Sequence, residues 1–402
     1  HWTQLPDGTI AFASELRGLI AHPSVKRTVD PISVQQFLLF EYIPTPRTIW
    51  ANIHKVEPGT WIRFSSQGQT AHRWWTPPVF KSGRIGSFDR WAQSLHGVLQ
   101  VAVGQRASAD VPVGYLLSGG LDSASVAAVA ASRSTEPLQT FSLAISGDGF
   151  DESNAAAQMA HHLGSHHRTA TLGPSELDPI LQELSTHMDE PLADSSLVAT
   201  WKLMQLVKSA DLKCVQSGDG ADEVLGGYPT YLAHQIAGPA SPARSILHNL
   251  VTRLPVRSNG VTKDYMARRF VDGLGLPWQR RHQVWMGAWL PSELNCTESV
   301  WEEVDSLVQR AGNDRIGRAM YLDQRRYLAD GVLVKVDRAA GAHGIEVRSP
   351  FLDHSVVELS ADMGTGHHVQ GTEGKRVLRA AMMDLLPDQT RKVGKKGFGI
   401  PV

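Results

Sequence analysis

One short loop constrains this chain more than any other part of its sequence. The residues SGGLDS at 118–123 follow an apolar run that ends at Leu117 and precede small residues at helical spacing, which predicts a turn between a strand and a helix. The two glycines allow a sharp turn and a close approach of the backbone to a ligand. Backbone N–H groups at a helix start attract anions, and Ser118 and Ser123 add hydroxyl donors. The loop therefore predicts a phosphate site.

Asp122 is unexpected in a loop of this kind, because a carboxylate repels phosphate. Its presence is explained if it holds a Mg²⁺ ion that bridges to the phosphates. The loop also lacks the G-x-x-x-x-G-K-[ST] pattern of the common nucleotide loops. An ordinary glycine-rich turn between a strand and a helix is the structural alternative to this interpretation.

A second group of chemistry-bearing residues follows another predicted strand. The segment CVQSGDGADEVLGGYPTY, residues 214–231, places Asp219, Asp222 and Glu223 within five positions. These carboxylates would repel one another unless a cation or a nucleophile partner sits among them. A solvated acidic turn is the alternative, but the flanking glycines and the position at a strand end favour a functional site.

The distribution of apolar and polar residues along the chain predicts two domains of different fold class. From about residue 88 to about residue 232, helical stretches alternate with short apolar strands, which predicts an α/β fold, a parallel sheet with helices on both faces. A mostly helical region follows, broken by segments such as VRSPFLD. Residues 1–76 are expected to be β-rich, with strands in TIAFASEL, RTIWANI and GTWIRFSSQGQTAHRWW, although ISVQQFLLFEYI has a more helical spacing. The predicted domains are 1–76 and 88–402, joined by a linker at 77–87.

Composition excludes several classes of protein. The chain has 39 basic and 40 acidic residues and a net charge of −1, which gives no general attraction to nucleic acid or to an anionic membrane. No apolar run approaches the roughly 18 residues that span a bilayer. Its two cysteines exclude a disulfide framework and indicate a reduced, cytoplasmic location. Because the chain starts at His1 and stops after KKGFGIPV, we expect it to be a fragment of a longer protein.

Five segments along the chain resemble the glutamine-hydrolysing asparagine synthetase family. The loop at 118–123 resembles the pyrophosphate loop of ATP pyrophosphatases, and residues 214–231 resemble the family block Ser-Gly-(Asp/Glu)-Gly-x-Asp-Glu-x-x-Gly-Gly-Tyr. Residues 336–353 and 374–401 resemble its two later blocks, and residues 9–63 resemble the end of its glutaminase domain. The resemblance implies an adenine nucleotide alpha hydrolase-like synthetase domain over 88–402. It also implies the C-terminal part of an Ntn-type, class II amidotransferase domain over 1–76.

The resemblance implies a set of ligand-binding residues. Those expected to bind ATP are Leu117, Ser118, Gly119, Gly120, Asp122, Ser123, Leu143, Ser217 and Gly218. Asp122 and Asp222 are the predicted Mg²⁺ ligands.

The implied catalytic residues are Asp219, Lys395 and Arg338. Asp219 matches a carboxylate that the family uses in forming the acyl-adenylate. Lys395 matches a lysine that can stabilise charge as pyrophosphate leaves, and Arg338 matches a basic residue near the phosphates or the acidic substrate. Candidate substrate residues are Glu346, Arg348 and Tyr228; for Glu346 and Arg348 a purely buttressing role is an equal alternative.

The implied reaction is the adenylation of a carboxylate, most naturally the side chain of aspartate, by ATP and Mg²⁺. Pyrophosphate leaves, and ammonia from glutamine then gives asparagine and AMP. The expected partners are small molecules, without nucleic acid or membrane, and a homodimer is compatible with the resemblance. Two alternatives stay open: a specialised amide-forming or cyclising synthetase of the lasso-peptide or β-lactam type, and a non-catalytic nucleotide-binding scaffold. A scaffold is expected to lose Asp122, Asp222 or Lys395, and the sequence keeps all three.

Overall fold

The computed structural model of the protein describes residues 1–146, 151–253 and 262–392. Within those residues the strands are β1 (Trp2–Gln4), β2 (Ile10–Phe12), β3 (Thr60–Ser65), β4 (Gly68–Arg73), β5 (Val113–Leu116), β6 (Gln139–Ile145), β7 (His166–Leu172), β8 (Cys214–Gln216) and β9 (Glu346–Arg348). The α-helices are α1 (Leu16–Ile20), α2 (Pro31–Phe40), α3 (Phe88–Ala107), α4 (Leu121–Ala131), α5 (Ser153–Leu163), α6 (Leu177–His187), α7 (Ser196–Ser209), α8 (Ala221–Leu225), α9 (Pro229–Ala240), α10 (Arg244–Val251), α11 (Lys263–Gly273), α12 (Trp278–Met286), α13 (Glu302–Val308), α14 (Gly317–Arg325), α15 (Leu333–Gly341), α16 (His354–Met363), α17 (Thr365–His368), α18 (Arg376–Ala381) and α19 (Asp388–Lys392). Short 3₁₀ turns span Pro174–Glu176, Ser241–Ala243, Glu298–Trp301 and Pro350–Leu352, and a π-helical turn spans Tyr327–Val332.

The central sheet has five parallel strands in the order β7-β6-β5-β8-β9, which confirms the predicted α/β fold. The chain builds β6 and β7 outward on one side of β5, then crosses back and builds β8 and β9 on the other side. Open parallel sheets place their ligand crevice outside the carboxyl ends of the strands where the order reverses. The loops after β5 and β8 are the two segments that the sequence singled out, so the topology brings them to that crevice.

Helices cover both faces of the sheet, as expected. On one face α3, α4, α16 and α18 pack around a buried cluster that includes Leu99, Val129 and Phe351. On the other face α6, α7 and α15 pack around a cluster that includes Phe141 and Trp201. Most of β6 is buried, and its buried polar residues Thr140 and Ser142 form hydrogen bonds with side chains of β7. Truncating a fully buried aromatic residue such as Trp201 to alanine would cost about 3–5 kcal/mol.

Residues 1–76, the N-terminal unit, are less β-rich than predicted. They contain two separate antiparallel pairs, β1-β2 and β3-β4, together with α1 and α2. Asp30 starts α2 by accepting a hydrogen bond from Ile32 N–H (3.1 Å), and Pro31 occupies its first turn. The strand expected in RTIWANI does not form beyond an isolated bridge, because side chains take its backbone groups: Ile49 N–H donates to Glu190 (2.8 Å).

The segment predicted as a break at VRSPFLD contains a strand, β9. It pairs in parallel with β8, and Ser217 N–H donates to Arg348 O (2.9 Å) just beyond the paired residues. The sequence Glu-Val-Arg of β9 contains no apolar run, so sequence reasoning missed this edge of the sheet. No α-helix in the described ranges combines the length and apolar character that crossing a bilayer demands.

Candidate active site

A cavity of about 670 Å³ opens where the chain order of the sheet reverses, beside the C-terminal ends of β5 and β8. Its volume lies within the range of about 300–1,000 Å³ that is usual for small-molecule sites. Its wall comes from the loops after β5, β6 and β8, from α7 and α15, from the π-helical turn and from the segment 372–375. The residues predicted from sequence that line it are Leu117, Ser118, Gly120, Asp122, Ser123, Leu143, Ser217, Gly218, Asp219, Asp222 and Tyr228.

The loop at 118–123 turns tightly before α4. Ser118 N–H donates to Ser123 Oγ (3.0 Å), and Gly120 N–H donates to Ser118 Oγ (3.3 Å). Gly119 has a φ of +77°, and a Cβ there would lie 2.7 Å from the backbone nitrogen of Ala156 in α5. Both its backbone angle and its surroundings therefore require glycine. Gly119 shapes the loop and does not line the cavity.

The loop after β8 packs directly on the loop after β5. A Cβ on Gly218 would lie 2.7 Å from Ser123 N, so the close approach of the two loops depends on glycine at this position. Ser217 Oγ donates to Asp219 Oδ2 (2.7 Å), which fixes the direction of that carboxylate beside the cavity. Gly220, with a φ of +85°, then reverses the chain into α8.

Lys375 joins the acidic residues of the two loops, and sequence reasoning missed it. Its Nζ lies 2.6 Å from Asp122 Oδ2 and 2.5 Å from Asp222 Oδ1. The lysine is 5% exposed and lines the cavity. The available signal was the Gly-Lys pair that opens the segment 374–401. The family resemblance indicated Lys395 instead, and Lys395 lies outside the described residues.

The donor set fits a magnesium ion that is bound together with phosphate. Carboxylate oxygens of Asp122 and Asp222 both contact one nitrogen, so a single cation can contact both side chains. Across the described ranges, no cluster of three or more His, Cys, Asp or Glu side chains is arranged to hold a metal. Mg²⁺ commonly takes one or two protein carboxylates and completes its shell with phosphate and water oxygens.

Glu223 lies at the cavity wall beside Asp222 and is 1% exposed. Burial raises the pKa of Glu223 to about 8, and the nearby Asp222 carboxylate adds to the effect. Tyr228 O–H donates to Glu223 Oε1 (2.8 Å), and burial raises the pKa of Tyr228 well above its usual value. This part of the wall therefore presents a carboxyl group that is largely protonated at neutral pH.

A second cation lies on the wall formed by α15. Lys335 Nζ donates to Asp194 Oδ2 (2.9 Å) and to Ser196 Oγ (2.7 Å). Burial opposes ionisation of Asp194, but Lys335 and the hydrogen bonds from Ser196 outweigh it and keep the pKa of that carboxyl below its usual value. The π-helical turn before α15 brings Tyr327 to the same wall. Such turns are frequent at functional sites. Sequence reasoning did not identify Lys335 or Asp194.

The structure does not bring three of the predicted residues to the cavity. Arg338 pairs with Glu15 (3.1 Å) and Asp189 (3.3 Å). Its guanidinium group therefore links the N-terminal unit to the chain that follows α6. Glu346 and Arg348 pair with each other (2.8 Å) at the edge strand β9. The charged groups of these three residues are engaged away from the cavity, and for Glu346 and Arg348 this placement agrees with the buttressing alternative.

Comparison with protein families matches two parts of the chain. A family model described as asparagine synthase matches residues 94–402, and one described as glutamine amidotransferase domain matches residues 1–75. The putative glutamine-hydrolysing asparagine synthetase of Mycobacterium tuberculosis is 28% identical over 413 residues, covering 98% of this chain and 62% of the relative.

Two further relatives carry different names. Glutamine-hydrolysing asparagine synthetase 1 of Bacillus subtilis is 26% identical and covers 100% of this chain and 64% of the relative. Amidase chry2 of Gibberella zeae is 25% identical and covers 87% of this chain and 59% of the relative. The chain thus spans about three fifths of the length of the curated relatives that it matches.

Proposed function

Because the chain belongs to the asparagine synthase family, we propose that it is an ATP-dependent, glutamine-dependent amide ligase that forms asparagine from aspartate. The substrate carboxylate attacks the α-phosphorus of ATP, the bond to the β-phosphate breaks, and pyrophosphate leaves. Ammonia then attacks the acyl carbon of the adenylate, and AMP leaves. The observation that carries this proposal is the meeting of the loops after β5 and β8 at one cavity, with Asp122 and Asp222 within reach of one cation.

Different residues of the cavity would bind different parts of ATP. Backbone N–H groups at the start of α4 and the hydroxyls of Ser118 and Ser123 suit the β- and γ-phosphates. The apolar wall around Phe141 and Leu143 suits a purine ring. A bound Mg²⁺ would supply charge neutralisation at the phosphates, held by Asp122 and Asp222.

The other residues of the wall would act on the acid. Asp219, held by Ser217 in the loop after β8, lines the cavity and would orient the reacting groups. Lys335 and Asp194 present a cation and an anion at the same wall, which suits the carboxylate and ammonium groups of an amino acid. Most of the proposed rate enhancement comes from positioning and charge neutralisation. Ammonia would come from glutamine through the N-terminal unit, which matches the amidotransferase model.

The test supplies Mg²⁺, ATP, ammonia and a panel of carboxylic acids, and measures AMP, ADP and pyrophosphate. We expect AMP and pyrophosphate in equal amounts with aspartate, and glutamine is substituted for ammonia in a second assay. Asp122→Asn should lower kcat/KM by about 100-fold or more, since it removes charge that acts at the phosphates. Asp362→Asn, which changes an exposed carboxylate paired with Lys81, is the control.

Three outcomes would contradict parts of this proposal. ADP in place of AMP overturns adenylation. AMP formed only with another acid keeps the mechanism and assigns the chain to a specialised or cyclising ligase. No nucleotide cleavage with any acid, together with tight ATP binding, favours the nucleotide-binding scaffold.

A further inference from the structure

Lys375 is held inside the cavity wall instead of reaching it from solvent. It is 5% exposed, and its ammonium group contacts a carboxylate from each of the two ligand-binding loops. Lys392 also lines the cavity, but its side chain is 77% exposed and pairs with Asp388 on its own helix. The two lysines therefore have different roles. Lys375 links Asp122 to Asp222, whereas Lys392 lies at the surface.

The path of the Lys375 side chain is built into the backbone around it. Lys375 has a φ of +52° and directly precedes α18. A Cβ on Gly374 would lie 2.5 Å from Gly226 O, so the chain before the lysine lies against the glycine pair after α8. A Cβ on Gly227 would overlap both the Cε atom of Lys375 and the carboxylate of Asp222. The ammonium reaches both carboxylates because glycine occupies these positions.

A metal ion at this place would compete with the ammonium group. The two carboxylates are already neutralised in part by Lys375, which weakens their attraction for a second cation. Separating a buried ion pair is costly when nothing replaces the partner. A phosphate chain removes that cost, since its oxygens can ligate the metal and also accept hydrogen bonds from the displaced ammonium.

We propose that Lys375 masks the metal site of the nucleotide-free protein. Its ammonium keeps a divalent cation from binding to Asp122 and Asp222, and the metal enters only together with the phosphates of the nucleotide. This inference rests on the proposed function, because it takes ATP as the source of the phosphates. It adds an order to binding: metal and nucleotide arrive together, and Lys375 moves from the carboxylates to the phosphates.

The experiment titrates Mn²⁺, a spectroscopic substitute for Mg²⁺, into the nucleotide-free protein and follows free Mn²⁺ by electron paramagnetic resonance. We expect only weak Mn²⁺ binding to the wild-type protein alone, and one Mn²⁺ bound per protein when pyrophosphate is added, after subtraction of a protein-free pyrophosphate control. Lys375→Met keeps the length of the side chain and removes its charge. This variant should bind one Mn²⁺ without nucleotide at least about tenfold more tightly than the wild type, and adding Asp222→Asn should abolish the gain.

Lys392→Met is the matched control, because it removes a positive charge from the same cavity without releasing either carboxylate. The inference is overturned if Lys392→Met gains Mn²⁺ affinity as strongly as Lys375→Met, or if neither variant gains any. Should Lys375→Met fail to fold, the wild-type titration decides, since stoichiometric Mn²⁺ binding without nucleotide overturns masking. Failure of the proposed function is seen separately, as an absence of ATP binding to the wild-type protein in the presence of Mg²⁺.

Discussion

Gly227 lies where the side chain of Lys375 passes the carboxylate of Asp222. Its importance is steric, because the space that a Cβ would occupy is already taken by both of those side chains. The glycine pair at 226–227 therefore does more than end α8, since it also lets the ammonium group approach both loops. Single methyl groups matter at such positions because protein interiors are close-packed.

We predict that Gly227→Ala weakens ATP binding while leaving the fold intact. Overpacking of this kind costs about 1–3 kcal/mol, which corresponds to roughly tenfold or more in the dissociation constant if the strain falls on the site. Calorimetric titration of ATP with Mg²⁺ measures the change. Gly97→Ala is the control: Gly97 lies in α3 with nothing within 4 Å of the added Cβ, so it should raise stability by about 0.5–1 kcal/mol. Unchanged ATP affinity in Gly227→Ala would show that the wall relaxes freely.

At the residue scale, the sequence predicted the carboxylates but not their partners. Asp122 was identified by its conflict with phosphate, and Asp222 by the repulsion within its own segment. Lys375 is 253 positions from Asp122, and no local pattern indicates that the two meet. Sequence reasoning missed Lys335 and Asp194 for the same reason, because no local pattern distinguishes either from an ordinary charged residue.

At the element scale, the segment 189–196 connects the N-terminal unit to the cavity. Glu190 Oε2 pairs with Lys55 (2.5 Å), and Glu190 Oε1 accepts from Ile49 N–H (2.8 Å). At its other end the segment carries Asp194, which pairs with Lys335 at the cavity wall. One short stretch of chain thus bonds to the N-terminal unit and to the site at the same time.

We predict that Glu190→Ala destabilises the attachment of the N-terminal unit by about 3 kcal/mol, because it leaves a largely buried Lys55 without its carboxylate. Denaturant unfolding followed by total tryptophan fluorescence and by circular dichroism measures this change. Asp362→Ala breaks a comparable contact (2.8 Å) whose partners are more than half exposed, so its effect should stay below about 1 kcal/mol. Equal effects of the two substitutions would refute the structural role of Glu190.

The strands were predictable where an apolar run lies between two helical stretches. The strands β5, β6 and β8 follow from short apolar runs between helical stretches, and the structure contains them. The sequence did not predict β9, which has no apolar run of its own, and it wrongly predicted a strand in RTIWANI. Both errors concern backbone pairing decided by a distant neighbour: β8 in the first case and the Glu190 side chain in the second.

At the scale of the whole molecule, Glu41 lies where the N-terminal unit meets the rest of the chain. Ala193 N–H donates to its backbone oxygen (2.9 Å). Burial raises the pKa of Glu41 to about 7, the Asp194 carboxylate adds to the shift, and Arg269 opposes it. A carboxyl whose pKa is raised by folding stabilises the folded state at low pH, and this contribution is lost as the pH rises through the folded-state value.

We predict that the melting temperature of the wild-type protein falls relative to that of Glu41→Gln between about pH 5 and about pH 8. Glutamine resembles the protonated side chain, so the two proteins should match at the lower pH, and the difference at the higher pH should not exceed about 3 kcal/mol. A constant difference in melting temperature between the two proteins from about pH 5 to about pH 8 would contradict the raised pKa of Glu41.

The order of the strands has a consequence for when the site can exist during synthesis. The loop after β5 is complete early, but its partner loop follows β8, and Lys375 arrives much later in the chain. A growing polypeptide can therefore form the first half of the sheet before the proposed ATP site is assembled. Under the proposed function, nucleotide affinity requires the last third of the molecule to have folded onto the first, so a nucleotide-binding assay on nascent chains would show when folding is complete.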